Sequence, residues 1–346
     1  MNPVNKESTT RREFVKEVAV GAAGIAGAGS LGASASEAAA SAPMPQARGG
    51  SKYGNLVKTI PYQFWPNQIC RQSAVMNGDF LNNNLHVEIA TPAVAGRLGP
   101  NAPEAHDCDQ AMIFLGSNPL DLGELGAQIE FCMGPEKEKH MITVSRPVYI
   151  PKGLAHGPIT ILSMDRRIIV MTVSHTRELK TTAAAVAEKE FTGPAVGFTS
   201  RGKYDANFPA MLWQRKGIWH YGADNPDDAG GYIASMRNNE MGFSLLCESI
   251  NKGPYRFGHP YAPHVHNYNE FLICLGADCN DLAPMGGEIN FHMGAEMEPH
   301  VFTASTVVLA PAKLPHCPEI VTRVDKPFIF MVLHEMEHSA TPEKKG

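Results

Sequence analysis

The sequence predicts an all-β protein in which one barrel- or sandwich-sized unit is written twice. An internal repeat is the first observation behind this. Sliding the chain on itself by 160 residues aligns 104–174 with 264–334 without a gap, giving 24 identities in 71 positions, against about 4 expected at ordinary residue frequencies. The second is strand-like patterning within each copy. Phe271-Leu272-Ile273-Cys274-Leu275, the alternating run from Glu288 to Met293, Thr306 to Ala310 and Phe328 to Leu333 have the length and composition of strands. The third is the scatter of 32 Gly and 26 Pro through the chain, which suits many short strands joined by turns.

The elements follow in order. Residues 10–16 read Thr10-Arg11-Arg12-Glu13-Phe14-Val15-Lys16, then comes a Gly/Ala-rich stretch from Val18 to Leu31, then Ala33-Ser34-Ala35. This is a charged region, an apolar region and a small-residue cleavage site in sequence. Paired arginines before a weakly apolar core resemble a twin-arginine (Tat) export signal. The apolar stretch of about 14 residues is short of the roughly 20 needed to span a bilayer. The expectation is a signal over 1–40, cut near Ala35 or Ala40, and no membrane span in the mature chain. The resemblance implies the twin-arginine export machinery as a partner and a periplasmic or extracellular destination.

A first unit is expected over 52–180, a linker over 181–199, a second unit over 200–336 and a frayed tail over 337–346. The Ala-rich run from Glu178 to Lys189 reads as a short helix or a linker. Ser51-Lys52-Tyr53 is echoed by Gly202-Lys203-Tyr204, so each unit begins about fifty residues before its best-matched block. Two copies of roughly 130–150 residues are two domains, not a solenoid, whose repeats run to a few tens of residues.

Charge narrows the partners. Lys and Arg number 30 against 35 Asp and Glu, so there is no basic excess to neutralise nucleic-acid phosphates or anionic lipid. A nucleic-acid partner is not expected. The seven cysteines (70, 108, 132, 247, 274, 279 and 317) are odd in number and include no C-x-x-C. At least one free thiol is expected in an oxidising compartment, and a zinc ribbon is not indicated.

The chemistry-bearing pattern is Gly258-x5-His264-Val265-His266-x3-Glu270, with His316 downstream after a proline. On a regular strand, positions 264, 266 and 270 share one face. Two imidazoles and a carboxylate inside a barrel, joined by a histidine from another strand, are a donor set for one divalent transition metal: Mn, Fe, Ni, Co, Cu or Zn. This pattern resembles the first motif of the cupin superfamily, G-x5-H-x-H-x3,4-E-x6-G, and Pro311 to His316 resembles the second, P-x-G-x2-H-x3-N. The chain is thus similar to a bicupin over roughly 52–180 and 200–336, which implies two tandem jelly-roll barrels. It also implies His264, His266, Glu270 and His316 as metal ligands, with Glu270 the candidate catalytic residue. The sequence departs from the motifs at Gly276, which comes one residue early, at Lys313 in place of glycine, and at Ile320 in place of asparagine.

In the first copy the aligned positions are Glu104, His106, Gln110 and His156. Glu104 with the two histidines forms a two-His-one-carboxylate set, the arrangement of non-haem Fe(II) oxygenases. A second metal there and a degenerate structural barrel both remain open, and Cys108 lies on the same parity. Two further questions rest on burial: whether Glu288, Asn290 and His292 face a pocket or water, and whether His140 and His300, each near a glutamate, are structural. Phe271, Phe291, Phe302 and Phe330 are available to surround a metal-bound substrate. For oxalate-type chemistry the family adds a lid glutamate, which Asp278-Cys279-Asn280-Asp281 matches only loosely.

The resemblance implies an exported metalloenzyme acting on a small, metal-chelating organic substrate. The reaction would be that of a dioxygenase, an oxidoreductase, or an oxalate-type decarboxylase. The alternative is a non-enzymatic exported metal- or small-ligand-binding bicupin. Fold alone does not choose between them. Homo-oligomerisation is left open, because the two barrels can satisfy each other's strand edges.

Overall fold

The computed structural model describes residues 51–65, 69–184, 186–197, 202–214, 233–238, 243–257 and 263–335. The expected signal over 1–40 and tail over 337–346 lie outside them. Every ladder between named strands is antiparallel, and the strands form two two-layered barrels. In the N-terminal barrel one sheet runs Arg146–Ile150, Gln110–Gly116, Ile168–Ser174, His86–Pro92, Cys70–Met76 and Gln63–Phe64. Facing it are Thr181–Ala183, Glu104–His106, His156–Met164, Glu124–Met133 and Glu138–Val144, with Gly96–Leu98 also paired to His156–Met164.

The C-terminal barrel repeats the plan. Its larger sheet runs Val57–Thr59, Thr306–Ala310, Glu270–Gly276, Phe328–Glu335, Phe243–Ile250, Ile233–Asn238 and Leu212–Gln214. Its smaller sheet runs Tyr255–Phe257, His316–Val324, Pro284–Met293 and Glu298–Ala304.

Strand parity explains the sequence pattern. Gln110–Gly116 and Glu270–Gly276 are buried at every position, because one face looks into its barrel and the other into the layer between the barrels. Ala111, Ile113 and Leu115 meet Phe271, Ile273 and Leu275 in one apolar cluster drawn from both barrels. Met112 and Phe114 belong to the interior of the first barrel, and Leu272 and Cys274 to that of the second. Strands buried on both sides read as continuous apolar runs, whereas strands with one wet face alternate. Pro284–Met293 alternates: Ile289, Phe291 and Met293 are fully buried, while Glu288, Asn290 and His292 are half-buried on the outer face. The polar trio therefore does not line the barrel.

Two expected boundaries change. Val57–Thr59, assigned by sequence to the first unit, pairs with Thr306–Ala310 of the second barrel. In the reverse direction, Tyr204 and Phe208 pack into the core of the first barrel. The echoed Lys-Tyr pairs are thus the ends of two exchanged arms. Lys52 Nζ lies 2.7 Å from Glu296 Oε1 and Tyr53 Oη 3.2 Å from it. Lys203 Nζ and Tyr204 Oη lie 2.8 and 3.0 Å from the Glu136 carboxylate oxygens. Each tyrosine closes over a glycine with left-handed backbone, Gly294 (φ 76°) or Gly134 (φ 79°), where a Cβ would come within 2.5 or 2.1 Å of the phenol oxygen. The segment expected to be a linker also has structure. Thr181–Ala183 pairs with Glu104–His106, and Val196 exchanges backbone hydrogen bonds with Lys139 and Met141.

All seven cysteines are buried and free. No helix among the described residues is long and apolar enough to cross a membrane.

Candidate metal centres

His264, His266, Glu270 and His316 converge in the C-terminal barrel, each offering a ligand atom within 4.8 Å of the others. They do not reach this arrangement as one regular strand. Glu270 and His316 each begin a strand, and His264 is held by an isolated bridge whose amides exchange hydrogen bonds with His316 at 3.0 and 3.1 Å. The Lys313 amide, 2.7 Å from the His266 carbonyl, fixes the loop between them. A bend, not strand parity, brings the imidazoles together, with His264 and His316 ring centres 4.4 Å apart. The left-handed backbone at Lys313 (φ 66°) is the conformation that Gly153 (φ 75°) holds in the first copy.

Glu270 is the hub. Its Oε2 lies 2.7 Å from His316 Nε2 and 3.5 Å from His266 Nε2, and its Oε1 lies 2.9 Å from His334 Nε2. Burial alone would raise the Glu270 pKa, but interactions with His266, His316 and His334 hold it well below the usual carboxylate range. Burial likewise favours neutral His316, yet contact with Glu270 raises its pKa overall. The His316 ring is oriented by its Nδ1, 3.0 Å from the Leu314 carbonyl, which leaves Nε2 facing inward.

The donor set fits a divalent metal. Glu270 Oε2 and His316 Nε2 are both buried, and at 2.7 Å neither is satisfied by a hydrogen bond of acceptable angle. With the ligand atoms of His264 and His266 they lie within 4.8 Å of one another, and three imidazoles with one carboxylate suit the first-row transition metals.

His334 escaped the sequence reading. It closes the strand Phe328–Glu335 opposite Glu270 and also lies 2.9 Å from Ser244 Oγ. Its repeat partner is Ser174, so the repeat hid it. The usable signal was a histidine on the inward parity of Phe328, Phe330 and Val332. Tyr268, stacked on His266 at 4.8 Å with rings 7° from parallel, was missed for the same reason.

In the N-terminal barrel, Glu104, His106 and His156 are all buried and converge. Glu104 Oε1 lies 3.9 Å from His106 Nε2 and 3.8 Å from His156 Nε2. These spacings are too long for hydrogen bonds, and an ion about 2.0–2.2 Å from each atom would hold them at angles wider than tetrahedral. His156 Nδ1 is 3.2 Å from the Leu154 carbonyl and His106 Nδ1 is 3.4 Å from that of Lys180, so the second nitrogen of each ring is oriented as in the other barrel. Gln110 is engaged elsewhere, its Nε2 donating to Ser174 Oγ at 2.8 Å. Glu270–His334 in one barrel is thus Gln110–Ser174 in the other, in the same register. Cys108 is not in the cluster, and burial pushes its thiol up to about 11.

The remaining sequence candidates fall to structure. His140 Nε2 lies 2.9 Å from Glu138 and its ring stacks on Phe208 at 4.1 Å; His300 Nε2 lies 3.3 Å from Glu298. These glutamates receive the exchanged arms through the Tyr204 and Lys52 amides, a structural role. Phe271 belongs to the layer between the barrels, Phe291 stacks near His316 at 6.4 Å, and Phe330 is in the interior. Asp278 to Asp281 form a hydrogen-bonded turn with Cys279 buried beneath it, not a lid.

No family model and no curated protein sequence matches the chain. Solved structures do. The 7S globulin of Momordica charantia superposes with TM-score 0.50 at 9% identity, over 81% of this chain and 84% of that one. Vicilin from Corylus avellana (hazelnut) gives 0.49 at 12%, over 82% and 86%. Bacillus subtilis oxalate decarboxylase, studied for its Mn(II) centres, gives 0.48 at 11%, over 81% and 78%. Identities this low speak to fold alone. The sheet topology, together with the likeness to the 7S globulin, defines an all-β protein of two tandem cupin-type jelly-roll barrels.

Proposed function

We propose that the chain is an exported, metal-dependent bicupin enzyme acting on a small organic substrate that chelates the metal, by dioxygenase- or oxalate-decarboxylase-like chemistry. The convergence of His264, His266, Glu270 and His316 within 4.8 Å carries this reading. A divalent metal held there supplies Lewis acidity and lowers the pKa of bound water. The chain's own groups prepare the site. His316 and Glu270 present buried, inward-facing donor atoms, and His334 fixes the Glu270 carboxylate through Oε1. Phe291 backs the His316 ring. The surrounding protein keeps Glu270 ionised and His316 oriented before any ligand arrives.

A second reading, a non-enzymatic metal- or ligand-binding bicupin, is favoured by one observation. The interior beside the four ligands is occupied by buried Glu248, Glu319 and Phe330, which limits the room for a substrate.

Metal analysis of the exported protein, paired with turnover, decides between them. The enzyme reading expects a redox-active ion that His264→Ala removes. It also expects dioxygen uptake with a catechol or diketone, or carbon dioxide release from oxalate, abolished in Glu270→Gln. Tight metal with no turnover of these compounds supports the binding protein.

A further inference from the structure

The two barrels differ at the outer edge of their smaller sheets. Glu138–Val144 and Glu298–Ala304 are the corresponding last strands, held in the same register: Met141 pairs with Glu130, and Val301 with Asn290. In the first barrel this edge is covered. The Val196 amide donates to the Lys139 carbonyl at 2.6 Å, and the Met141 amide to the Val196 carbonyl at 2.9 Å, in a parallel bridge. Upstream, the Ala187 and Phe191 amides donate to the carbonyls of Pro135 and Glu136, and Glu190 pairs with Lys137. Pro135, Glu136, Lys137, Lys139 and Met141 are accordingly half-buried. Their counterparts 160 residues on, Ala295, Glu296, Met297, Pro299 and Val301, are all exposed, Val301 by 61%. Among the described residues no strand or bridge pairs with this second edge. An uncovered edge with an exposed valine is a template for one more strand.

We propose that residues 41–46 of the same chain are that strand, lying parallel to Glu298–Ala304 with the Pro45 carbonyl accepting from the Val301 amide. The cover of the first edge leads directly into the Lys203-Tyr204 arm, so its counterpart is the segment that leads into Lys52-Tyr53. Counted back from the two arms, Thr192-Gly193-Pro194-Ala195-Val196 aligns with Ser41-Ala42-Pro43-Met44-Pro45. The entry point also agrees. A Cβ on Gly202 would come within 2.3 Å of Glu138 Oε1 and 2.9 Å of Val196 Cγ2, so the chain before the first arm passes between that glutamate and the covering segment. Ser51, the counterpart of Gly202, donates through Oγ to Glu298 Oε1, and the Lys52 amide donates to Oε2. The chain before the second arm thus already stands at the first residue of the open strand, and a tether this short keeps the effective concentration of residues 41–46 at the edge high. Pro45 has no N–H for the Pro299 carbonyl, so one of the two hydrogen bonds of the first barrel carries over, and burial of Val301 supplies the rest. The cut expected near Ala35 or Ala40 leaves this segment on the mature chain.

Hydrogen exchange read by mass spectrometry tests this on the exported chain and on a chain that begins at 51. In peptides spanning 298–304 the Val301 amide should exchange about tenfold or more faster in the shortened chain. Peptides spanning 138–144 should exchange alike in both, which shows that the barrels are intact. If the shortened chain does not fold, a spin label on Met44→Cys in the full chain gives the reading, since the native cysteines are all buried. Its motion should be restricted, and released by Val301→Pro, which removes the donor at an edge position where a sheet tolerates proline. The assignment is overturned by exchange at 298–304 that is equal in the two chains, or by a label whose motion Val301→Pro leaves unchanged. Protection at 298–304 that rises with protein concentration overturns it in favour of a second copy of the chain on this edge.

Discussion

The C-terminal barrel has the richer set of candidate ligands and the larger inward side chains; the N-terminal barrel has the sparser set and the smaller ones. Glu270 is contacted by three histidines, whereas Gln110 turns to Ser174. Glu248, Phe330 and Glu319 stand where the first barrel has Ala90, Val170 and Ile159. Yet the outer frames match: both barrels carry the same register, the same inter-barrel layer and the same docked Lys-Tyr arm. Duplication has kept what holds the pair together and changed what each barrel holds. The frame is shared because each barrel's edge and core include residues from the other half of the chain, so neither can drift alone.

The largest test of this comparison concerns the shared frame. Gly134→Ala must place a Cβ in a left-handed backbone, costing about 1–2 kcal/mol, and against the Tyr204 phenol, where overpacking adds roughly 1–3 kcal/mol. The expected outcome is a drop in Tm of several degrees in thermal denaturation, and Gly294→Ala should act in the same direction through Tyr53. A large effect at one glycine and none at the other would show that the arms are not equivalent.

Much of this was legible in the sequence. The 160-residue repeat and the strand runs follow from periodicity, and the four candidate ligands of the second copy from the resemblance of their His/Glu pattern to the cupin motifs. The exchanged arms were present only as an echo, because Lys52 and Glu296 are 244 residues apart and no local pattern links them. A regular strand through 264–270, the condition under which those positions share one face, does not form: the segment meets the strand His316–Val324 only at His316 and is otherwise tied to Lys313. The contrast in side-chain size was not legible: it depends on which faces turn inward at Ala90, Val170 and Ile159.

The next test concerns the difference in ligand support. His334 touches Glu270 but is outside the four-residue cluster, so it is a positioning residue. His334→Ser copies Ser174 and removes the partner of Glu270 Oε1. Metal affinity should fall about 10–100-fold, the usual effect of losing an outer-shell partner, while stoichiometry at saturating metal stays unchanged. Competition with a chromogenic chelator reads the affinity. An unchanged affinity would mean that the contrast between Glu270–His334 and Gln110–Ser174 has no bearing on metal.

The smallest expected effect isolates one of the larger inward side chains. Burial, and then the nearby Glu270 and Glu248 charges, raise the Glu319 pKa well above the ordinary range. In the unfolded chain the same group ionises near pH 4.3, its approximate reference value. A carboxyl whose folded pKa is raised leaves stability intact below the unfolded value and removes it as pH rises through the folded one. Glu319→Gln, which cannot ionise, should therefore match wild type near about pH 4 and become the more stable protein toward about pH 8. With chelated protein, so that bound metal does not enter the balance, the gain in Tm should be about 2–4 °C for each 1 kcal/mol recovered. Ile159→Gln in the other barrel should show no such pH-dependent gain, since it replaces an apolar group with an uncharged one. If the wild-type and Glu319→Gln curves run parallel across this range, the acid in the second barrel is not held protonated, and the two interiors differ in side-chain size only.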